Sequence, residues 1–64
     1  MRCNLREVRE SRGLSQEELA HLSAVTRNTI HNIERGVTNP SLALAFRIAN
    51  SLHVSLYNIW PGKD

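Results

Sequence analysis

The stretch from Ser15 to Gly36 constrains the fold of this chain most, because it holds two short apolar stripes joined by a very short connection. Leu19 and Ala20 form the first stripe, and Ile30 and Ile33, about one helical turn apart, form the second. Each stripe predicts a short amphipathic helix with one inward face. Two stripes of this length must share a small core, and a small residue at position 20 lets the two helices cross steeply.

Two steeply crossing helices joined by a tight turn are typical of a helix-turn-helix, a motif that places its second helix in the major groove of DNA. The outward positions of that second helix are polar, namely Arg27, Asn28, His31 and Asn32. Arginine pairs in bidentate fashion with guanine and asparagine with adenine, each pair discriminating by about 1–3 kcal/mol. A polar helix face is, however, more often simply solvated. The pattern alone therefore leaves two interpretations, a DNA-reading face and a solvated face.

Length and charge limit the class of protein. With 64 residues, of which 41% are apolar, the chain has material for one small core, so we predict a single domain over residues 1–64. It has neither an apolar run near the ~18 residues that cross a bilayer nor a signal segment, which favours a cytoplasmic protein without membrane contact. The net charge of +2 is weak evidence for nucleic acid. Its placement is more informative, because Glu34 is the only acidic residue between Leu19 and Lys63.

Start and stop signals predict an all-α chain of five helices without strands. Helix 1 is predicted from about Asn4 to Arg12, with Gly13 as a left-handed C-cap. Helix 2 begins at a capping box formed by Ser15 and Glu18. The later signals are Thr26 and Gly36 for helix 3, Pro40 and Ser41 before helix 4, and Ser55 and Trp60 for helix 5. The predicted inward residues of helix 4 are Leu42, Ala45, Ile48, Ala49 and Leu52.

Several segments resemble the phage repressor and Cro-like (Xre) helix-turn-helix family. They are GLSQEELA at 13–20, VTR at 25–27, Ile30, IERG at 33–36, NPSL at 39–42 and IA at 48–49. The similarity extends from about Leu5 to Trp60 and implies a compact five-helix, lambda-repressor-like domain with its helix-turn-helix in helices 2 and 3. Members of the family usually act as homodimers on palindromic operators. One position departs from the family pattern, because Ala24 stands in the turn where glycine is common. A left-handed alanine there costs about 1 kcal/mol relative to glycine.

The resemblance also implies roles for individual side chains. The residues that contact bases are expected to be Thr26, Arg27, Asn28 and Asn32, with His31 at the edge of that face. Gln16 lies at the start of helix 2, where free backbone N–H groups favour a phosphate, and the family uses a glutamine there to hold the DNA backbone. Further phosphate contacts are expected from Arg35, Thr38 and Asn39.

Arg9 and Glu34 are predicted to form a buried ion pair. Each follows an apolar residue of its helix by four positions, Leu5 and Ile30 respectively, so each continues an inward stripe where a lone charge is costly. In the resembling family a helix 1 arginine bonds the glutamate at the end of helix 3. The alternative is that both residues are surface charges.

No catalytic, metal or cofactor site is predicted. The candidate metal ligands Cys3, His21, His31 and His53 lack the close spacing of a zinc site. The candidate nucleophiles are the serines Ser15, Ser41 and Ser55, and all three stand where helix caps are needed.

A homodimer is expected because one helix that reads about four base pairs specifies a site too common among the ~10⁶ or more competing sites of a genome. The predicted interface is the apolar surface left over beside the core: Leu44, Phe46, Tyr57 and Trp60. The alternative is that Phe46 and Trp60 simply complete the core.

Three functional hypotheses remain. The first is a sequence-specific regulator of transcription that binds double-stranded DNA, with repression as the expected mode because a small protein without an activation domain acts by occupying a promoter. The second is an antitoxin that binds a toxin protein and represses its own operon. The third is a protein-binding module that no longer binds DNA. Such a module has no need of the polar residues Gln16, Arg27, Asn28 and Asn32, which therefore argue against it.

Overall fold

A computed structural model describes residues 3–62, and these residues form helices without any strand. The helices are α1 (Leu5–Ser11), α2 (Gln16–Leu22), α3 (Arg27–Glu34), α4 (Leu42–Leu52) and α5 (Leu56–Ile59). The all-α, five-helix prediction is confirmed, with ends that differ by a residue or two from the expected ones. Within the same residues, no helix has the length and apolarity needed to cross a membrane.

The predicted capping residues begin the helices. Ser15 Oγ accepts a hydrogen bond from the Glu18 amide at 3.0 Å, and the Ser15 amide donates to Glu18 Oε1 at 2.8 Å, which completes the capping box of α2. Thr26 and Ser41 cap α3 and α4 through their side-chain oxygens. At α5, the amide of Ser55 donates to a side-chain oxygen three residues later. These bonds satisfy backbone donors that a helix start otherwise leaves unpaired.

The core lies where the helices meet, and it contains Leu5, Leu19, Ala20, Ile30, Ile33, Ala45, Ile48, Ala49, Leu52, Ile59 and Trp60. Leu42 corrects the expected inward stripe of α4, because its side chain is 67% exposed. It stands in the first turn of α4 and borders an open groove of about 320 Å³, together with Pro40, Ala45, Leu56 and Trp60. Leu42 therefore lies on the rim of this groove and outside the core.

Of the two interpretations of Trp60, as an interface residue or as part of the core, its position in the structure fits the second. Its side chain is only 8% exposed and belongs to the core. The backbone leaves helical geometry at this residue, with φ −124° and ψ 86°, and the ring packs inward instead of continuing the outer face of α5. Phe46 and Tyr57 remain exposed, at 51% and 77%, whereas Leu44 is half-buried against the core.

The turn between α2 and α3 is held by α4, a feature that the sequence patterns did not reveal. Ala24 has a left-handed φ of +60°, the case in which alanine is strained relative to glycine. Just before it, the carbonyl of buried Ser23 accepts a hydrogen bond from Arg47 Nε at 3.2 Å. Ser51 Oγ has the nearer acceptor for its single proton in the carbonyl of Arg47, at 2.9 Å. It accepts from Ser23 Oγ at 3.4 Å and lies 3.3 Å from the carbonyl oxygen of Leu22. The carbonyl of Ser23 and its hydroxyl thus find partners on α4, and these contacts hold the end of α2 where the chain turns toward α3.

Candidate nucleic-acid interface

One face of α3 anchors the helix and the opposite face is open to solvent. Ile30 and Ile33 are buried, at 0% and 2% exposure, and hold the helix against the core. Arg27 and Asn28, in the first turn, are exposed. The Thr26 hydroxyl oxygen accepts from the Thr29 amide, so that oxygen is engaged in capping the helix. The first turn of α3 therefore presents a guanidinium and a carboxamide from a rigidly held backbone.

The polar side chains of α3 form two rows. Arg27, His31 and Glu34, spaced three or four residues apart, face the start of α2, since all three contact the side chain of Gln16. Asn28 and Asn32 are also four residues apart and form the second row, in which Asn28 is exposed and Asn32 half-buried. Among residues 3–62, the side-chain hydrogen bonds from these two rows to other parts of the protein come from the first row.

Arg9 and Glu34 form the predicted ion pair. Arg9 Nε lies 2.6 Å from Glu34 Oε2, Arg9 Nη2 donates to Glu34 Oε1 at 3.3 Å, and Arg9 Nη1 donates to the carbonyl of Leu14 at 2.7 Å. The side chains are 9% and 5% exposed. The hydrogen bond to Glu34 raises the pKa of Arg9 above its ordinary value, although burial opposes that shift. The pair joins α1, α3 and the loop before α2 at one point.

Gln16 has partners at both ends of its amide. Its Nε2 donates to Glu34 Oε1 at 3.0 Å and lies 3.4 Å from His31 Nδ1, while its Oε1 accepts from Arg27 Nη1 at 3.1 Å. The sequence assigned this side chain to DNA phosphate and did not indicate a link to Glu34. Gln16 and Glu34 are 18 residues apart, and no helical periodicity relates them. The one available signal was that a buried carboxylate has more acceptor sites than one arginine fills.

A polar depression of about 350 Å³ lies at the meeting point of α1, α2 and α3. Its lining residues are Arg6, Arg9, Glu10, Gln16, Arg27, His31, Glu34 and Arg35. Four arginines stand against two glutamates there, which leaves an excess of positive charge. Such an excess favours phosphate groups, whose binding releases the counterions condensed on DNA.

The remaining phosphate candidates differ in position. Arg35, the C-cap of α3, lines the polar depression. Thr38 and Asn39 are exposed in the loop before α4 and do not line the depression.

Comparisons with known proteins agree with this geometry. The model of the helix-turn-helix family HTH_3 matches residues 5–58. An uncharacterized HTH-type transcriptional regulator of Methanothermobacter thermautotrophicus is 54% identical over 52 residues, covering 81% of this chain and 75% of that protein. The restriction-modification controller protein C.AhdI from Aeromonas hydrophila is 42% identical, with a TM-score of 0.79 over 81% of this chain and 79% of that one. SinR, a master regulator for biofilm formation solved in complex with DNA, is 31% identical, with a TM-score of 0.77 over 83% of this chain and 86% of that one.

The five-helix fold and the exposed polar face of α3 define a helix-turn-helix DNA-binding domain. The chain belongs to the HTH_3 helix-turn-helix family, which confirms the resemblance to phage repressors and Cro-like proteins. It is a regulator of transcription and not an enzyme.

Proposed function

We propose that this chain binds a palindromic operator as a homodimer and represses transcription by occupying it. The observation that carries the proposal is the exposure of Arg27 and Asn28 on the first turn of a helix whose other face is buried. These two side-chain types suit guanine and adenine edges in the major groove. Repression needs nothing beyond occupancy of the promoter.

The individual roles follow from position. The proposed base-contacting residues are Thr26, Arg27, Asn28, His31 and Asn32, and the proposed phosphate-contacting residues are Gln16, Arg35, Thr38 and Asn39. Arg27 and Asn28 lead the first set because they are exposed at the start of α3. Arg35 leads the second set because it is exposed beside the positive depression.

A second copy would meet the apolar surface on α4 and α5. Leu42, Phe46 and Tyr57 are 67%, 51% and 77% exposed, and Leu42 and Phe46 are one helical turn apart on α4. Burying such residues favours association. Of the four residues first expected at this interface, Phe46 and Tyr57 are exposed and stay in the proposed interface. Leu44 is half-buried and would contact the second copy with its exposed part, whereas Trp60 lies in the core beneath this surface.

The decisive experiment is selection of bound sequences from random duplex DNA at a stated salt concentration. We expect a palindrome whose half-sites are about one helical turn apart. Asn28→Ala should relax the preference at one base pair of each half-site. Arg35→Ala should weaken binding to all sequences alike and reduce the slope of log K against log salt by about one. Recovery of no enriched sequence by the native chain would refute the proposal.

A further inference from the structure

We propose that Gln16 is a positioning residue for Arg27, and that Glu34 sets the orientation of Gln16, so that the buried ion pair helps to determine which base pair the protein prefers. This inference rests on the proposed DNA reading by α3. It assigns to Gln16 a role in specificity, whereas a phosphate contact adds affinity without sequence information.

The partners of Gln16 determine the orientation of its amide. A carboxylate only accepts hydrogen bonds and a guanidinium only donates them. Glu34 Oε1 must therefore face the amide nitrogen, at 3.0 Å, and Arg27 Nη1 must face the amide oxygen, at 3.1 Å. The reversed amide would place a donor against Arg27 and an acceptor against Glu34. Only one orientation satisfies both charged neighbours, and in that orientation Gln16 holds Arg27.

Glu34 is itself fixed from the core. Its carboxylate accepts two hydrogen bonds from Arg9, and its side chain is 5% exposed. The sequence of contacts from Arg9 through Glu34 and Gln16 to Arg27 thus begins on buried groups and ends on an exposed base-contacting side chain. Each of the three links has at least one charged partner, and charge-assisted hydrogen bonds are stronger than neutral ones.

Because Gln16 holds Arg27 in the free protein, less side-chain entropy is lost when Arg27 contacts DNA. A long side chain loses rotamer freedom when it is immobilised at an interface, and a side chain that is already ordered loses less. The contact to Gln16 involves Nη1 alone, which leaves the other N–H groups of the guanidinium for a base. Asn28 lies in the second row of α3, and none of the bonds of this network involve it.

The first test uses the base pair at which the Arg27→Ala variant no longer discriminates between bases. Dissociation constants are measured on the selected operator and on a version altered at that base pair. We expect Gln16→Ala to reduce discrimination at that base pair about fivefold, in the range of couplings between contacting residues. In the Arg27→Ala background the same substitution should cause no further loss of discrimination. Discrimination at the base pair read by Asn28 should stay unchanged in Gln16→Ala. A uniform weakening on both DNAs would overturn the proposal and leave Gln16 as a phosphate contact.

The second test needs no DNA and separates this inference from the proposed function. In the free protein, ¹⁵N relaxation should show an ordered Arg27 Nε–H bond vector. In Gln16→Ala, its order parameter should fall below about 0.6, the flexible range. Backbone order parameters of α3 serve as the check that the variant is folded. An Arg27 side chain that is equally mobile in both proteins would overturn the proposal, whether or not the native chain selects a DNA sequence.

Discussion

Arg9 Nε lies 2.6 Å from Glu34 Oε2, and both side chains are more than nine-tenths buried. Arg9→Ala leaves the carboxylate buried without its cation, and we expect a loss of about 3 kcal/mol in the free energy of unfolding. In a domain of this size that loss lowers the melting temperature by roughly 10 °C or more. Thermal unfolding followed by circular dichroism measures it, and a shift of about a degree would contradict the structural role of the pair.

Arg6→Ala is the matched control for that experiment. Arg6 Nε lies 3.3 Å from Glu10 Oε2 on the same helix, but the side chains are 70% and 55% exposed. Pairs of this exposure contribute roughly 0 to 1 kcal/mol. Both substitutions remove an arginine from α1, so the difference between them reports the effect of burial.

The left-handed conformation of Ala24 predicts a stabilising substitution. Its φ is +60°, a region that glycine occupies without strain. We expect Ala24→Gly to raise the free energy of unfolding by up to about 1 kcal/mol. Urea denaturation at constant m-value provides the measurement.

The reverse change at Gly36 tests the same cause. Gly36 has φ +75°, and a Cβ added there would meet no atom within 4 Å, so strain in the backbone is the only cost. We expect Gly36→Ala to lower stability by about 1 kcal/mol. Two changes of the same sign would show that backbone strain does not govern these positions.

The capping box of α2 predicts a loss of stability in acid. Hydrogen bonds from the Ser15 amide and hydroxyl lower the pKa of Glu18 below its ordinary value of 4.5. A depressed carboxyl pKa stabilises the fold fully above the unfolded-state value, and this contribution is lost as the pH falls through the folded-state value. Glu18→Gln, which keeps an acceptor but does not titrate, should therefore show a weaker fall in its urea midpoint below about pH 4.5.

Glu17→Gln is the control for Glu18→Gln. It removes a carboxylate from the same first turn of α2 without touching Ser15. If both variants lose the same part of the acid dependence, the cause is charge near the helix start and not the capping box.

The proposed dimer predicts a change in sedimentation. The native chain should sediment as a dimer at micromolar concentration, and Tyr57→Lys should shift it to monomer, because the interface would have to bury an unpaired charge. Leu22→Lys is the control. Leu22 is 55% exposed but borders depressions lined by other residues than the groove beside Leu42. If the native chain sediments only as a monomer, the proposed homodimer is refuted.

Local signals predicted the helices and their starts well. Ser15, Thr26 and Ser41 act within three residues of their own positions, so that a pattern in the sequence is enough to place them. The Arg9–Glu34 pair was also accessible, because each residue interrupts an apolar stripe.

Contacts between distant residues were harder to predict. Arg47 and Ser51 bond the end of α2 from α4, more than 20 residues away, and nothing in their neighbourhood marks them. The same holds for the bond between Gln16 and Glu34. The sequence left Trp60 between the core and an interface, because helical periodicity does not show where the backbone stops being helical.

Ala24 also indicates how strongly selection has acted on the stability of this domain. Alanine and glycine codons differ at one nucleotide, so the strained turn is a single point mutation from relief. The chain nevertheless carries alanine at a φ of +60°. Proteins are selected to remain above a threshold of stability and are not driven to its maximum. A domain that keeps this residue is stable enough without the gain, and its strained turn is also held from α4 by the bond between Arg47 and the carbonyl of Ser23.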